Sequence, residues 1–274
     1  MNKIILFISA ILLTFVVTSC NHAAQHRSTK SPANDSSLSS GEPRNTPAQI
    51  CAKPDVPVLC FHHIADNIKS VYAVTPATFE ADMKMLADSG YHSVSPDQLY
   101  DYLVYNKPLP AKPVMITFDD ARAEQATVAE PILKKYGFRG VFFIMTITYN
   151  KKNYMTTEQI AQLAKDGNTI GLHSWDHQMV TKYKDAADWQ KEVVAPKAKL
   201  EKIVGMPVKY WAYPDGIYNH TSTVELSKYF KLSFSLGTKK DTLEPLQTVP
   251  RMIVPGWTPR GLLNAMHRTF EKRN

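Results

Sequence analysis

Seven short β-type runs, separated by segments that carry helix start and stop signals, constrain this chain more than any other feature. They span residues 56–61, 114–118, 140–147, 169–172, 208–212, 232–236 and 252–254. Between them, Thr75-Pro76 caps a helix with Phe79, Met83 and Leu86 on one face and Gly90 at its end. Ser95-Pro96 opens another, with Leu99, Tyr102 and Leu103 as its apolar face. A helix around 128–136 closes at Gly137, Thr156 starts one that ends at Gly167, and Thr258-Pro259 opens the last. A long polar helix over 185–204 is kinked or divided by Pro196. Strands alternating with helices imply a parallel sheet. About seven such units without a glycine-rich phosphate loop favour an α/β fold of the distorted (β/α)-barrel type over a dinucleotide fold. Such barrels place their chemistry at the C-terminal strand ends.

The N-terminus stands apart from this pattern. Lys3 precedes an apolar run over residues 4–17 that ends at Val17-Thr18-Ser19-Cys20. The run is shorter than the roughly 20 residues of a membrane-spanning helix, so residues 1–20 read as a signal peptide. Small residues directly before Cys20 resemble a lipoprotein signal, with Cys20 as the lipid-bearing residue. Residues 21–54 are rich in Ser, Asn, Thr, Pro, Ala and Gln and read as a flexible tether. Residues 55–274 form the expected catalytic domain. Pairing of Cys51 with Cys60 is left open, since Cys60 lies in an apparent strand where a buried thiol is equally natural. The net charge of +7 comes from scattered lysines and calls for no nucleic acid.

Two residue sets carry the chemistry. Asp119 and Asp120 follow the run 114–118, and His173 and His177 follow the run 169–172. An isolated acid pair often just caps a helix, and many histidine pairs four apart bind nothing. Placed together at parallel strand ends, they offer three metal ligands and an unused base, which suits hydrolysis by an ion-activated water.

Thr117-Phe118-Asp119-Asp120 and His173-Ser174-Trp175-Asp176-His177 resemble the first two motifs of the polysaccharide deacetylase family, the NodB-type carbohydrate esterases. The resemblance covers roughly residues 56–254. It implies Asp119 as the general base and Asp120, His173 and His177 as ligands of one divalent ion, zinc, with nickel, cobalt or iron as alternatives. The third motif is only partly matched: Ala212-Tyr213-Pro214-Asp215-Gly216 stands where Arg-Xaa-Pro-Tyr-Gly is usual. The Asp215 amide is then the candidate oxyanion donor, and Arg251, after Pro250, is the candidate replacement for the missing arginine. The family's C-terminal Leu-Xaa-His is not evident, and His267 reads as a surface residue. Instead, residues 57–64 resemble the first strand of the subgroup that deacetylates poly-N-acetylglucosamine, which implies His62 as the acid. Adjacent strand residues face opposite sides, so His63 should point elsewhere. Trp175, Trp211, Tyr213 and Trp257 are candidate sugar platforms, each weighed against plain packing.

The expected activity is N-deacetylation of an N-acetylglucosamine-containing extracellular polysaccharide, with release of acetate. The rivals are a peptidoglycan or chitin-oligomer deacetylase and a lipid-anchored glycan-binding protein without turnover. A monomer is expected, held in the cell envelope by its N-terminal lipid, on the outer membrane if the source is Gram-negative.

Overall fold

The computed structural model describes residues 42–66 and 68–271. The signal peptide, Cys20 and residues 21–41 of the expected tether lie outside the described residues. Eight parallel strands form one sheet: β1 (Val58–Phe61), β2 (Pro113–Phe118), β3 (Gly140–Ile144), β4 (Thr169–Leu172), β5 (Tyr210–Ala212), β6 (Leu232–Ser235), β7 (Val249–Pro250) and β8 (Met252–Ile253). Their order is β7-β6-β5-β4-β3-β2-β1-β8. The segment 249–253 therefore touches both ends of the sheet, pairing with β6 through Pro250 and Ser235 and with β1 through Met252 and Leu59. This nearly closes a barrel, as the alternation implies. His92–Ser93 adds a short strand beside β2, and His63–Ile64 pairs separately with Ala73–Val74. Two-residue strands carry no periodicity that a sequence could reveal.

Alternate strand residues divide the core in two. Val58, Met115, Phe143, Tyr210 and Phe234 pack in one cluster with helix Pro96–Tyr105. Leu59, Phe61, Ile116, Phe118, Phe142 and Trp211 pack in the other, with Phe79 and Met83 of helix Pro76–Asp88. The start signals act as expected: the side chains of Thr75, Ser95, Thr156 and Thr258 each accept a backbone N–H of their helix's first turn.

Two expectations need correction. The tether does not run to residue 54, because the compact unit begins at Glu42. Thr46 and Gln49 form a capping box for helix Pro47–Cys51, Ile50 is buried, and Asn45 Nδ2 donates to Leu103 O at 2.8 Å. Nor does Pro196 divide the polar helix, whose turns run unbroken over residues 186–204. A proline ring clashes with the carbonyl four residues back, here that of Glu192. The chain widens to a π turn over Gln190–Val194, with Ala195 N–H bonded to Gln190 O.

Asp82 is fully buried on helix Pro76–Asp88 with neither carboxylate oxygen hydrogen-bonded, and burial pushes its pKa from 3.8 up to about 7. A raised carboxyl pKa makes the fold lose stability as pH rises between those two values. We expect Asp82→Asn to stabilise the protein by roughly 1–3 kcal/mol at about pH 8 and to change little near pH 4. Chemical denaturation at both pH values checks this.

Candidate active site

At the C-terminal strand ends a cavity of about 230 Å³ is lined by His62, Asp119, Asp120, His173, His177 and Asp215, among others. Asp119 follows β2, and its N–H continues the ladder to Phe61 O at 3.0 Å. Its carboxylate is buried and held by both arms of Arg251: Nη1 donates to Oδ1 at 2.7 Å and Nη2 to Oδ2 at 2.8 Å. Burial alone would raise the Asp119 pKa, but the Arg251 guanidinium outweighs it and holds the carboxyl well below the usual range. Arg251 sits where β7 passes into β8, and its Nη1 also donates to Thr117 Oγ1 at 3.2 Å.

Asp120 turns the other way. Its Oδ1 lies 3.8 Å from His173 Nε2 and 3.8 Å from His177 Nε2, and its Oδ2 lies 3.6 Å from Arg122 Nη2. His173 Nδ1 donates to Ala212 O at 2.8 Å, which leaves the lone pair of Nε2 facing Asp120. Burial lowers the pKa of His173, so the imidazole is neutral, as a ligand must be. His177 N–H donates to Ser174 Oγ at 2.8 Å and closes the loop between the two histidines.

These three residues fit one divalent ion. A tetrahedral ion with bonds of about 2.1 Å spaces its ligand atoms about 3.4 Å apart, close to the separations found. Asp119 stands outside this group: its carboxylate is paired with Arg251 and clusters instead with Cys60 and His62. Cys60, His62 and Asp119 form a second close group. Its donors are poor, since burial pushes the Cys60 thiol far up and keeps it protonated.

His62 lines the cavity, while His63 turns to Glu124, with Nδ1 2.9 Å from Oε1. His62 Nδ1 is buried without a hydrogen-bond partner, and burial lowers the ring's pKa. The Tyr72 ring lies against it, centroids 5.1 Å apart. Asp215 is exposed on the cavity rim in the left-handed conformation (φ 57°). Behind it, Gly216 at φ 69° leaves no room for a Cβ, which would meet Leu236 Cβ at 2.3 Å.

The aromatic expectations fare differently. Trp211 and Tyr213 are fully buried in the helix-facing core, and Tyr213 Oη donates to Gln247 O at 3.0 Å. Trp211 offers no face to a sugar, because its strand position points away from the barrel interior, whereas Tyr213, one residue past the end of β5, contributes to the cavity lining. Trp175 is half-buried outside the cavity lining, under the Lys191 ammonium at 4.5 Å. Trp257 is partly exposed. Cys51 and Cys60 are both free thiols.

Two polar residues escape a reading by motif. Gln125 Nε2 donates to His62 O at 2.7 Å and to Asp119 O at 2.5 Å, tying two loops together. Glu192 Oε2 accepts from Trp175 N–H at 3.2 Å and Asp176 N–H at 3.4 Å. Both side chains arise from π turns, Gln125–Ala129 and Gln190–Val194, and a proline lies second in the α-helix after each.

Residues 106–232 match the polysaccharide deacetylase family. YxkH of Bacillus subtilis, whose name assigns it to the polysaccharide deacetylases, is 30% identical over 190 residues, 69% of this chain. The chain spans 65% of that relative's length. The poly-beta-1,6-N-acetyl-D-glucosamine N-deacetylase of Staphylococcus aureus is 27% identical over 66% of this chain and 67% of its own. The Streptococcus pyogenes deacetylase PplD shares the fold, with a TM-score of 0.72 and 24% identity over 78% of this chain and 99% of its own. His62 and Arg251 fall outside the matched segment, yet the barrel brings His62 to the cavity and buries Arg251 against Asp119. The chain carries a polysaccharide deacetylase domain.

Proposed function

We propose that this chain removes acetyl groups from an N-acetylglucosamine-containing polysaccharide outside the cytoplasm, with Cys20 as its lipid anchor. The observation that carries the reading is the division between adjacent carboxylates. Asp119 pairs through both oxygens with Arg251, each keeping a lone pair able to accept a proton, while Asp120 faces two imidazoles. A divalent ion held by Asp120, His173 and His177 would supply Lewis acidity, lowering the pKa of a water and polarising the acetyl carbonyl.

Asp119 is the general base. Arg251 keeps it ionised across the neutral range and fixes its plane, with Oδ2 3.8 Å from His173 Nε2. It takes a proton from the water that attacks the acetyl carbon. The backbone N–H of Asp215, in the tight Pro214–Gly216 turn, stabilises the developing oxyanion in this reading. His62 then gives a proton to the leaving nitrogen as the carbon–nitrogen bond breaks. Burial outweighs the pull of the Asp119 and Asp120 carboxylates and lowers its pKa, so a proton gained there is readily given up. The products are acetate and a free amine on the sugar.

The likeness to the S. aureus enzyme supports a β-1,6-linked N-acetylglucosamine polymer as the substrate. The metal-replete protein should release acetate from such oligomers, and chelation should abolish the activity until the ion is restored. Asp119→Asn should lower kcat roughly a hundred- to ten-thousand-fold without weakening metal affinity, and Arg251→Ala should also lower kcat. An Asp119→Asn variant that turns over like the parent would contradict the assignment of the base.

A further inference from the structure

We propose that Glu192 is a positioning residue for the His173–His177 loop, a carboxylate carried inward on the helix's π turn to lock the peptide units between the two histidines. This rests on the reading that Asp120, His173 and His177 hold a divalent ion.

The loop needs such a lock. Three residues, 174–176, separate the ligands, and Ser174 (φ 63°) and His177 (φ 72°) both sit in the left-handed region. Each such residue costs on the order of 1 kcal/mol and persists only where surrounding contacts impose it. Ser174 Oγ accepts from His177 N–H, and β3's exit takes up the loop carbonyls, with Ile147 N–H bonded to Trp175 O at 2.8 Å. That leaves the amides of Trp175 and Asp176, and Glu192 Oε2 accepts both. Lys191 completes the strap: its ammonium lies 2.7 Å from Glu192 Oε1, 3.6 Å from Asp176 Oδ2 and 4.5 Å from the Trp175 ring centre.

The carboxylate itself argues for a task. Glu192 is 0% exposed, and burial raises its pKa despite Lys191. A buried charge is costly unless paired, and an apolar residue would fill a helix–sheet contact at less expense. The π turn points the same way, since such turns recur at functional sites. Here it holds the polar side chain against the ligand loop while Val193, Pro196 and Leu200 remain buried on the same helix.

Cobalt(II) titration of the full chain, read by visible absorption, tests this without substrate. The parent should bind one equivalent with a ligand-field spectrum. Partners that orient metal ligands are worth about 10- to 100-fold in affinity, so Glu192→Ala should bind that much more weakly with an altered spectrum. Glu192→Gln, which keeps an oxygen for both amides, should stay within about threefold of the parent. A role confined to folding would lower the metal-free Tm of Glu192→Ala but leave affinity and spectrum of the folded protein alone, and that result overturns the proposal. Should the alanine variant not fold, amide hydrogen exchange on the metal-free parent decides: slow exchange at Trp175 and Asp176 supports the lock, and fast exchange refutes it. Failure of the parent to bind cobalt overturns the underlying metal site, and the proposal with it.

Discussion

The buried ion pair between Arg251 and Asp119 is the interaction on which the rest of the site depends. Removing one partner of such a pair leaves an uncompensated charge and costs about 3–5 kcal/mol. The pair also depends on the barrel. Arg251 lies between Pro250, registered on Ser235 of β6, and Met252, registered on Leu59 of β1. The segment that joins the two ends of the sheet therefore delivers the cation to its interior, where Thr117 Oγ1 takes a share of it. The closing segment of the barrel thus supplies the cation that keeps Asp119 ionised. With Asp119 committed to Arg251, Asp120 is left to face the histidines, and neighbouring identical side chains acquire different chemistry.

The loops around the cavity also carry backbone strain. Asp120, Ala121, Ser174, His177 and Asp215 all adopt left-handed conformations, and all lie at or beside the cavity. Polar side chains from the flanking helices hold these loops, Gln125 on the aspartate side and Glu192 on the histidine side. Both come from widened helical turns that precede a proline. The same local feature that accommodates the proline ring also brings a long polar side chain to the site.

Much of this was legible in the residues themselves. The DD pair, both histidines and His62 follow apolar runs, and a parallel sheet must gather such positions at one end. Arg251 could be read from its place after a late proline, because a barrel returns its last strand to its first. Asp215 looked like a defect in the third motif; its left-handed backbone is one that Asp tolerates better than most residues. What stayed hidden depends on contacts far apart in sequence. Gln125 and Glu192 sit in helices that look uniformly polar, and their partners lie in other loops. Tyr72 reaches His62 from a segment without periodicity. Trp211 misled because strand parity, not aromatic character, decides which face a side chain shares. The capping box at Thr46 and Gln49 was present in the sequence and marks the true start of the domain.

The central claim is that adjacent aspartates divide the work, one as base and one as ligand. X-ray absorption spectroscopy on the metal-loaded protein tests it most directly. The account predicts an ion bound by the imidazoles of His173 and His177 and the carboxylate of Asp120, with the same protein ligands in Asp119→Asn. Loss of an oxygen ligand in that variant would place Asp119 on the ion and contradict the division.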